Sequence, residues 1–148
     1  MLQRWTDWKQ KQDRRKILLE FYREVEKNWE SVHVMRQRGV LDKFTLEIWR
    51  KIKDRPELKI DRRVIAYGIP FTTYNAVMDE FKKFEQWYAA DLKNKTTESA
   101  RILHEKKEAA SEKFKGLLDA AAEAKNILER DFLAEKILTQ EMIISHAE

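Results

Sequence analysis

The chain has 148 residues and no cysteine, so disulfides and thiolate metal sites are excluded. Hydrophobic residues make up 43 % of the chain and the net charge is only +4, which excludes a disordered polyelectrolyte. No apolar run approaches the ~18 residues of a transmembrane helix, and no signal-peptide core is present. The length is that of one domain.

Helix-forming residues dominate the composition. Ala, Leu, Glu, Lys and Arg together supply 73 residues, about half the chain, whereas only three Gly and two Pro interrupt it. This composition predicts an all-α fold. We expect an elongated antiparallel helical bundle with three long helices, two short capping helices and a coiled-coil-like C-terminal helix.

Residues 1–16 form a basic and aromatic helical lead-in, whereas 17–148 are expected to form a single helical-bundle domain. Six of the 30 basic residues and two of the 26 acidic residues lie between positions 4 and 16, so this stretch holds the whole net charge of +4. Two tryptophans lie among these bases, one helical turn apart. The candidate contact residues are Arg4, Trp5, Trp8, Lys9, Lys11, Arg14, Arg15 and Lys16.

Indole rings beside a Lys/Arg cluster are typical of the cytoplasmic flank of a membrane span. We therefore expect contact with an anionic membrane surface. The chain would be anchored through sequence upstream of Met1 in a longer parent, or held peripherally by the lead-in itself. Two alternatives stay open: an arm that binds nucleic acid, and a solvated helix start whose charges serve only solubility. Nucleic acid is the less favoured partner, because its binders spread positive charge along a face or groove and the rest of this chain is electroneutral.

The first helix is predicted from about Leu2 to Arg38. Its second half carries an apolar stripe at alternating steps of three and four residues, and Gly39 suits a left-handed cap at its end. Its first half has no apolar face, so it must meet solvent, lipid or a partner. The stripe consists of Leu18, Phe21, Tyr22, Val25, Trp29, Val32 and Met35.

Two short helices are predicted in the connecting region, about 40–70. Asp42 could cap the first, which Pro56 would end, and Asp61 could start the second. Gly68 and Pro70 read as a stop signal for that second helix.

Two further amphipathic stretches follow. The third helix, about Phe71 to Leu92, has a seam at Tyr74, Val77, Phe81, Phe84 and Tyr88. From Glu98 to about Ser145 the pattern favours one long helix, uninterrupted at Gly116, with a phase slip near Phe132. A bend near Gly116 that returns the chain as a fourth bundle helix is the alternative.

Asn28 and Asn75 lie beside the apolar seams. They are expected at boundary positions that touch water, although a buried residue that fixes helix register is the alternative.

Nothing in the sequence predicts an enzyme. Glu30 and His33 form one Glu-x-x-His pair, whereas helical carboxylate metal sites use two, so we expect no metal and no other cofactor. No Gly-rich phosphate loop or nucleophile elbow occurs, and no small-molecule substrate is evident. The sequence thus favours a non-enzymatic interaction module on the cytoplasmic side of a membrane, with a protein partner or self-association through the C-terminal helix. A soluble helical binding protein, with nucleic acid as one ligand, is the alternative.

Overall fold

The computed structural model describes residues 2–144, and every regular element in that range is helical. The α-helices are α1 Leu2–Arg38, α2 Glu47–Ile52, α3 Arg62–Ala66, α4 Gly68–Ala90, α5 Thr97–Phe114, α6 Leu117–Ala134 and α7 Gln140–Ile144. Short 3₁₀ turns lie at Pro56–Leu58 and Leu92–Asn94. The predicted all-α class is confirmed.

Helix α1 ends at Arg38, where the sequence predicts. Gly39 has a φ of 67°, and its N–H donates to the Met35 carbonyl oxygen at 2.9 Å, so it is the expected left-handed cap. Leu18, Phe21 and Val25 of the predicted stripe are fully buried. The stripe therefore forms the side of α1 that faces the core.

Helix α6 covers this stripe and runs in the opposite direction to α1. Glu135, just after α6, accepts a hydrogen bond from Arg14, and Glu129 accepts one from the Tyr22 hydroxyl. Further along α1, the Lys125 ammonium group lies 4.8 Å from the centre of the Trp29 ring. Small side chains on α6, including Ala121 and Ala124, are fully buried and allow this close packing.

The predicted cap at Asp42 is wrong. Helix α2 begins five residues later, and Asp42 instead accepts hydrogen bonds from its neighbour Lys43 and from Lys82 on α4. Asp61 is confirmed as the cap of α3, since its side chain accepts the Arg63 N–H at 2.9 Å.

Helix α3 ends at Ala66, which confirms the predicted stop, but Gly68 is not the predicted left-handed cap, because α4 begins at Gly68. Pro70 is tolerated in the first turn, where a helix has no intrahelical acceptor for its N–H groups. Gly68 does not adopt a left-handed conformation. It is required for space, since a Cβ atom there would overlap the Trp49 indole.

The final helix is divided, which corrects the expectation of an uninterrupted helix from Glu98. α5 ends at Phe114 and α6 begins at Leu117, while Lys115 and Gly116 keep right-handed backbone angles. α6 then ends at Ala134, where Lys136 adopts a φ of 61° and the Phe132 carbonyl oxygen accepts the Ile137 and Leu138 N–H groups. The phase slip near Phe132 thus marks a true helix end. Ser145 lies outside the described residues.

Gly68→Ala is expected to destabilise the fold by about 1–3 kcal/mol, because the new methyl group overpacks against a large ring held in the core. Chemical denaturation followed by circular dichroism measures this. Gly116→Ala is the matched control: no atom lies within 4 Å of its Cβ position, so stability should stay equal or rise by up to ~1 kcal/mol. Equal stability of the two variants would contradict the assigned role of Gly68.

Candidate functional site

The first four turns of α1 project beyond the part of the helix that packs into the core. We call residues 2–16 the arm. Trp5 and Trp8 are 60 % and 58 % exposed, so neither indole packs into the body of the protein. Lys9 lies 5.5 Å from the centre of the Trp5 ring, a cation–π contact on the arm's own surface.

Because the arm is an α-helix, the positions of its side chains around the axis follow from 3.6 residues per turn. Five bases and both indoles fall within an arc of about 160°, with the indoles near its middle and bases on both sides. The two acids of the arm, Asp7 and Asp13, fall outside this arc. We call this arc the basic–indole face: Arg4, Trp5, Trp8, Lys9, Lys11, Arg15 and Lys16.

Arg14 does not belong to this face, although the sequence groups it with the other bases. It is half-buried, and its guanidinium group donates to Glu135 at 2.8 Å and to the Leu58 carbonyl oxygen at 3.0 Å. Arg14 therefore fastens the base of the arm to the body.

A groove of about 930 Å³ lies between the arm and the loop at 55–58. Its walls carry acidic and basic side chains in equal number, so it has no net preference for an anion or a cation. The lining residues are Asp7, Gln10, Lys11, Asp13, Arg14, Lys16, Ile17, Glu20, Arg55, Glu57 and Leu58. Neither indole lines the groove, so the middle of the basic–indole face is turned away from it.

The Glu30 and His33 pair lies on α1, one turn apart. His33 stacks edge-on against the Trp29 ring, with 4.6 Å between ring centres. Within residues 2–144, no three His, Asp or Glu side chains converge to hold a metal ion, and no helix is long and apolar enough to cross a bilayer.

Glu24 is a buried carboxyl group that the sequence analysis did not single out. Its two oxygens accept the backbone N–H groups of Ile48 and Trp49, at 2.9 and 2.8 Å. These are unsatisfied donors in the first turn of α2, whose own cap position, Leu46, has no suitable side chain. Glu24 on α1 therefore caps the N-terminus of α2.

Asn28 and Asn75 bind the same connecting segment. Both are buried, so the expectation that they lie at water-exposed boundary positions is wrong. The Asn75 side chain accepts the Phe44 N–H and donates to the Phe44 carbonyl oxygen, both at 2.9 Å. The Asn28 amide donates to the Thr45 carbonyl oxygen. Each of these buried polar side chains therefore has a structural partner in the connecting segment.

A second polar cluster lies between α1 and α6. The Tyr22 hydroxyl group lies 2.7 Å from Glu129 and 3.2 Å from Glu26, and Lys125 forms an ion pair with Glu129. Burial and the neighbouring Glu129 raise the pKa of Tyr22, so its hydroxyl keeps its proton and acts as a donor. The cluster joins the two helices.

Glu24→Gln is expected to change how stability depends on pH. Burial raises the pKa of Glu24 above its ordinary value of 4.5, against the opposing effect of the two N–H donors. The folded state therefore holds this proton more tightly than the unfolded state. The stabilisation linked to that proton is present below the unfolded pKa and is lost as pH rises through the folded pKa.

The wild type should consequently lose stability relative to Glu24→Gln as the pH rises above the ordinary glutamate pKa of 4.5, as measured by denaturant unfolding at pH values on both sides of it. Glu20→Gln, an exposed glutamate one turn earlier on the same helix, is the control. A wild-type stability profile parallel to that of Glu24→Gln would contradict this assignment.

Comparison of the chain with protein-family models, with curated proteins and with solved structures finds no match. On the basic–indole face, two exposed indoles coincide with five bases and no acid.

Proposed function

We propose that this chain is a non-enzymatic helical interaction module that binds an anionic membrane surface, on the cytoplasmic side, through the basic–indole face of its arm. One observation carries the proposal. The helical arm brings five bases and two exposed indoles onto one face that holds no acid, and the body of the protein leaves that face open.

The chemistry of the face matches a lipid headgroup region. Tryptophan prefers the membrane–water interface, where its ring contacts the upper acyl region and its N–H meets polar groups. Each Lys or Arg near an anionic surface contributes about 1 kcal/mol. Since bases lie on both sides of the indoles, the arm would lie flat on the surface, with its bases among the headgroups.

The arm is short, about 20 Å over residues 4–16, so its binding would be reversible unless a second attachment adds to it. Anchoring through sequence upstream of Met1, the other arrangement expected from the sequence, would supply such an attachment. The same face would point at the bilayer in both arrangements.

The body would serve as the rigid part of the module, an elongated antiparallel bundle whose C-terminal helices resemble a coiled coil. A protein partner or a second copy would have to use the outer surface of α6, because its apolar seam already packs in this chain's own core. Nucleic acid remains the competing ligand for the arm, since phosphate and stacked bases offer related chemistry.

Flotation with phospholipid vesicles tests the proposal. The wild type should float with vesicles that contain phosphatidylserine and should stay behind with pure phosphatidylcholine. Lys9→Glu with Lys16→Glu should weaken binding at least about 30-fold, which corresponds to losing two contacts of ~1 kcal/mol each. Trp5→Ala with Trp8→Ala should also weaken it.

Lys107→Glu with Lys113→Glu is the matched control. It makes the same change in net charge on exposed positions of α5, so it should leave flotation intact. If both pairs of substitutions weaken flotation equally, net charge alone accounts for binding and the proposed role of the arm is wrong. Salt-sensitive binding of the arm to single-stranded nucleic acid, without flotation, would overturn the proposal in favour of its competitor.

A further inference from the structure

A second exposed apolar and basic surface lies at the turn between α4 and α5. Leu92 is 82 % exposed and Trp87 is 47 % exposed, in a range where the other large side chains of the seam are half-buried. Lys93 and Lys95 are exposed beside them. We call Trp87, Leu92, Lys93 and Lys95 the tip.

The tip is held in place by its own hydrogen bonds. The Asp91 carboxylate accepts the Lys93 N–H at 3.0 Å, and the Asn94 side chain donates to the Trp87 carbonyl oxygen at 2.7 Å. Thr96 caps α5 by accepting the Ser99 N–H. A turn fixed in this way loses little conformational entropy when it binds, so Leu92 is presented ready for contact.

The local charge favours an anionic partner. Residues 82–95 contain four lysines and two acids, and the Asp91 carboxylate is already engaged within the turn. Lys82 is paired with Asp42, which leaves the lysines of the turn itself facing solvent beside an indole and a leucine. An exposed leucine and tryptophan next to exposed lysines suit the headgroup region of an anionic bilayer.

The tip and the arm lie at opposite ends of the molecule. The arm joins the body where Arg14 meets Glu135, at the end of α6. The tip lies at the far end of α5, which packs along α4 through the contacts between Phe114 and Tyr74 and between Lys106 and Phe84.

α5 and α6 follow one another with right-handed backbone angles at the junction, and each has 18 residues, about 27 Å of helix. Two helices in succession therefore separate the tip from the end of α6 beside which the arm begins. The tip is thus a surface distinct from the arm.

We infer that the tip is a second contact for an anionic membrane surface, separate from the arm. This inference extends the proposed function of the arm. The insertion of the tip into lipid can be measured on its own.

The chain has no cysteine, so a thiol-reactive label attaches only at the position where one is introduced. Leu92→Cys labelled with an environment-sensitive fluorophore such as nitrobenzoxadiazole should brighten and shift to the blue when phosphatidylserine vesicles are added. Ala109→Cys, an exposed position on α5 labelled in the same way, should not respond. If the fluorescence at position 92 does not change although the protein still floats, the inference about the tip is wrong and the proposed function of the arm is unaffected.

Quantitative flotation also tests the tip. Trp87→Ala with Leu92→Glu should weaken binding to phosphatidylserine vesicles by about tenfold, the effect of losing one well-buried apolar contact, because the basic–indole face of the arm stays intact. Undiminished binding by this variant would contradict the inference about the tip, whereas undiminished binding by the arm variants would contradict the proposed function of the arm.

Discussion

The continuity of α1 is the constraint on which the rest of this structure depends. One unbroken helix carries the core stripe in its C-terminal part and the basic–indole face in its N-terminal part. Because the rotation per residue is fixed, packing Leu18, Phe21 and Val25 into the core also decides where Trp5 and Trp8 point. The surface proposed to meet lipid is thus oriented by contacts several turns away, and Arg14 secures the junction between the two parts.

The connecting segment shows how a helical protein can fix a stretch that has no regular structure. Residues 40–46 have no helix or strand to satisfy their backbone groups. Side chains from two long helices supply the partners instead: Asn28 from α1 and Asn75 from α4 bind this stretch, and Glu24 binds the first turn of α2 beyond it. Burying these polar groups is costly unless each is paired, so the pairing also specifies how α1, α2 and α4 fit together.

The two ends of the molecule share a chemistry that the middle lacks. In the middle, aromatic side chains such as Phe21, Tyr67 and Phe71 are buried and pack edge-on or tilted against one another. At the arm and at the tip, indoles are exposed beside lysines. Exposed indoles beside lysines are typical of surfaces that contact the membrane–water interface.

The sequence by itself determined the all-helical class, the end of α1 at Arg38, the caps at Gly39 and Asp61, and the exposure of Trp5 and Trp8. These features depend on local periodicity, backbone conformation and the absence of an apolar face, all of which can be read from neighbouring residues. It did not reveal Glu24 as the cap of α2, the place of Gly68 against Trp49, or the attachment of Arg14 to the body.

Only the tertiary structure decided those points, because each depends on groups that are distant in the chain. Gly68 and Pro70 look like a stop signal locally, yet the close approach of the Trp49 ring is what requires a glycine. The tip is a further case: Leu92 falls at the end of an apolar seam, and only the turn that follows α4 leaves it uncovered. Local chemistry sets which conformations are possible, whereas packing between distant segments selects among them.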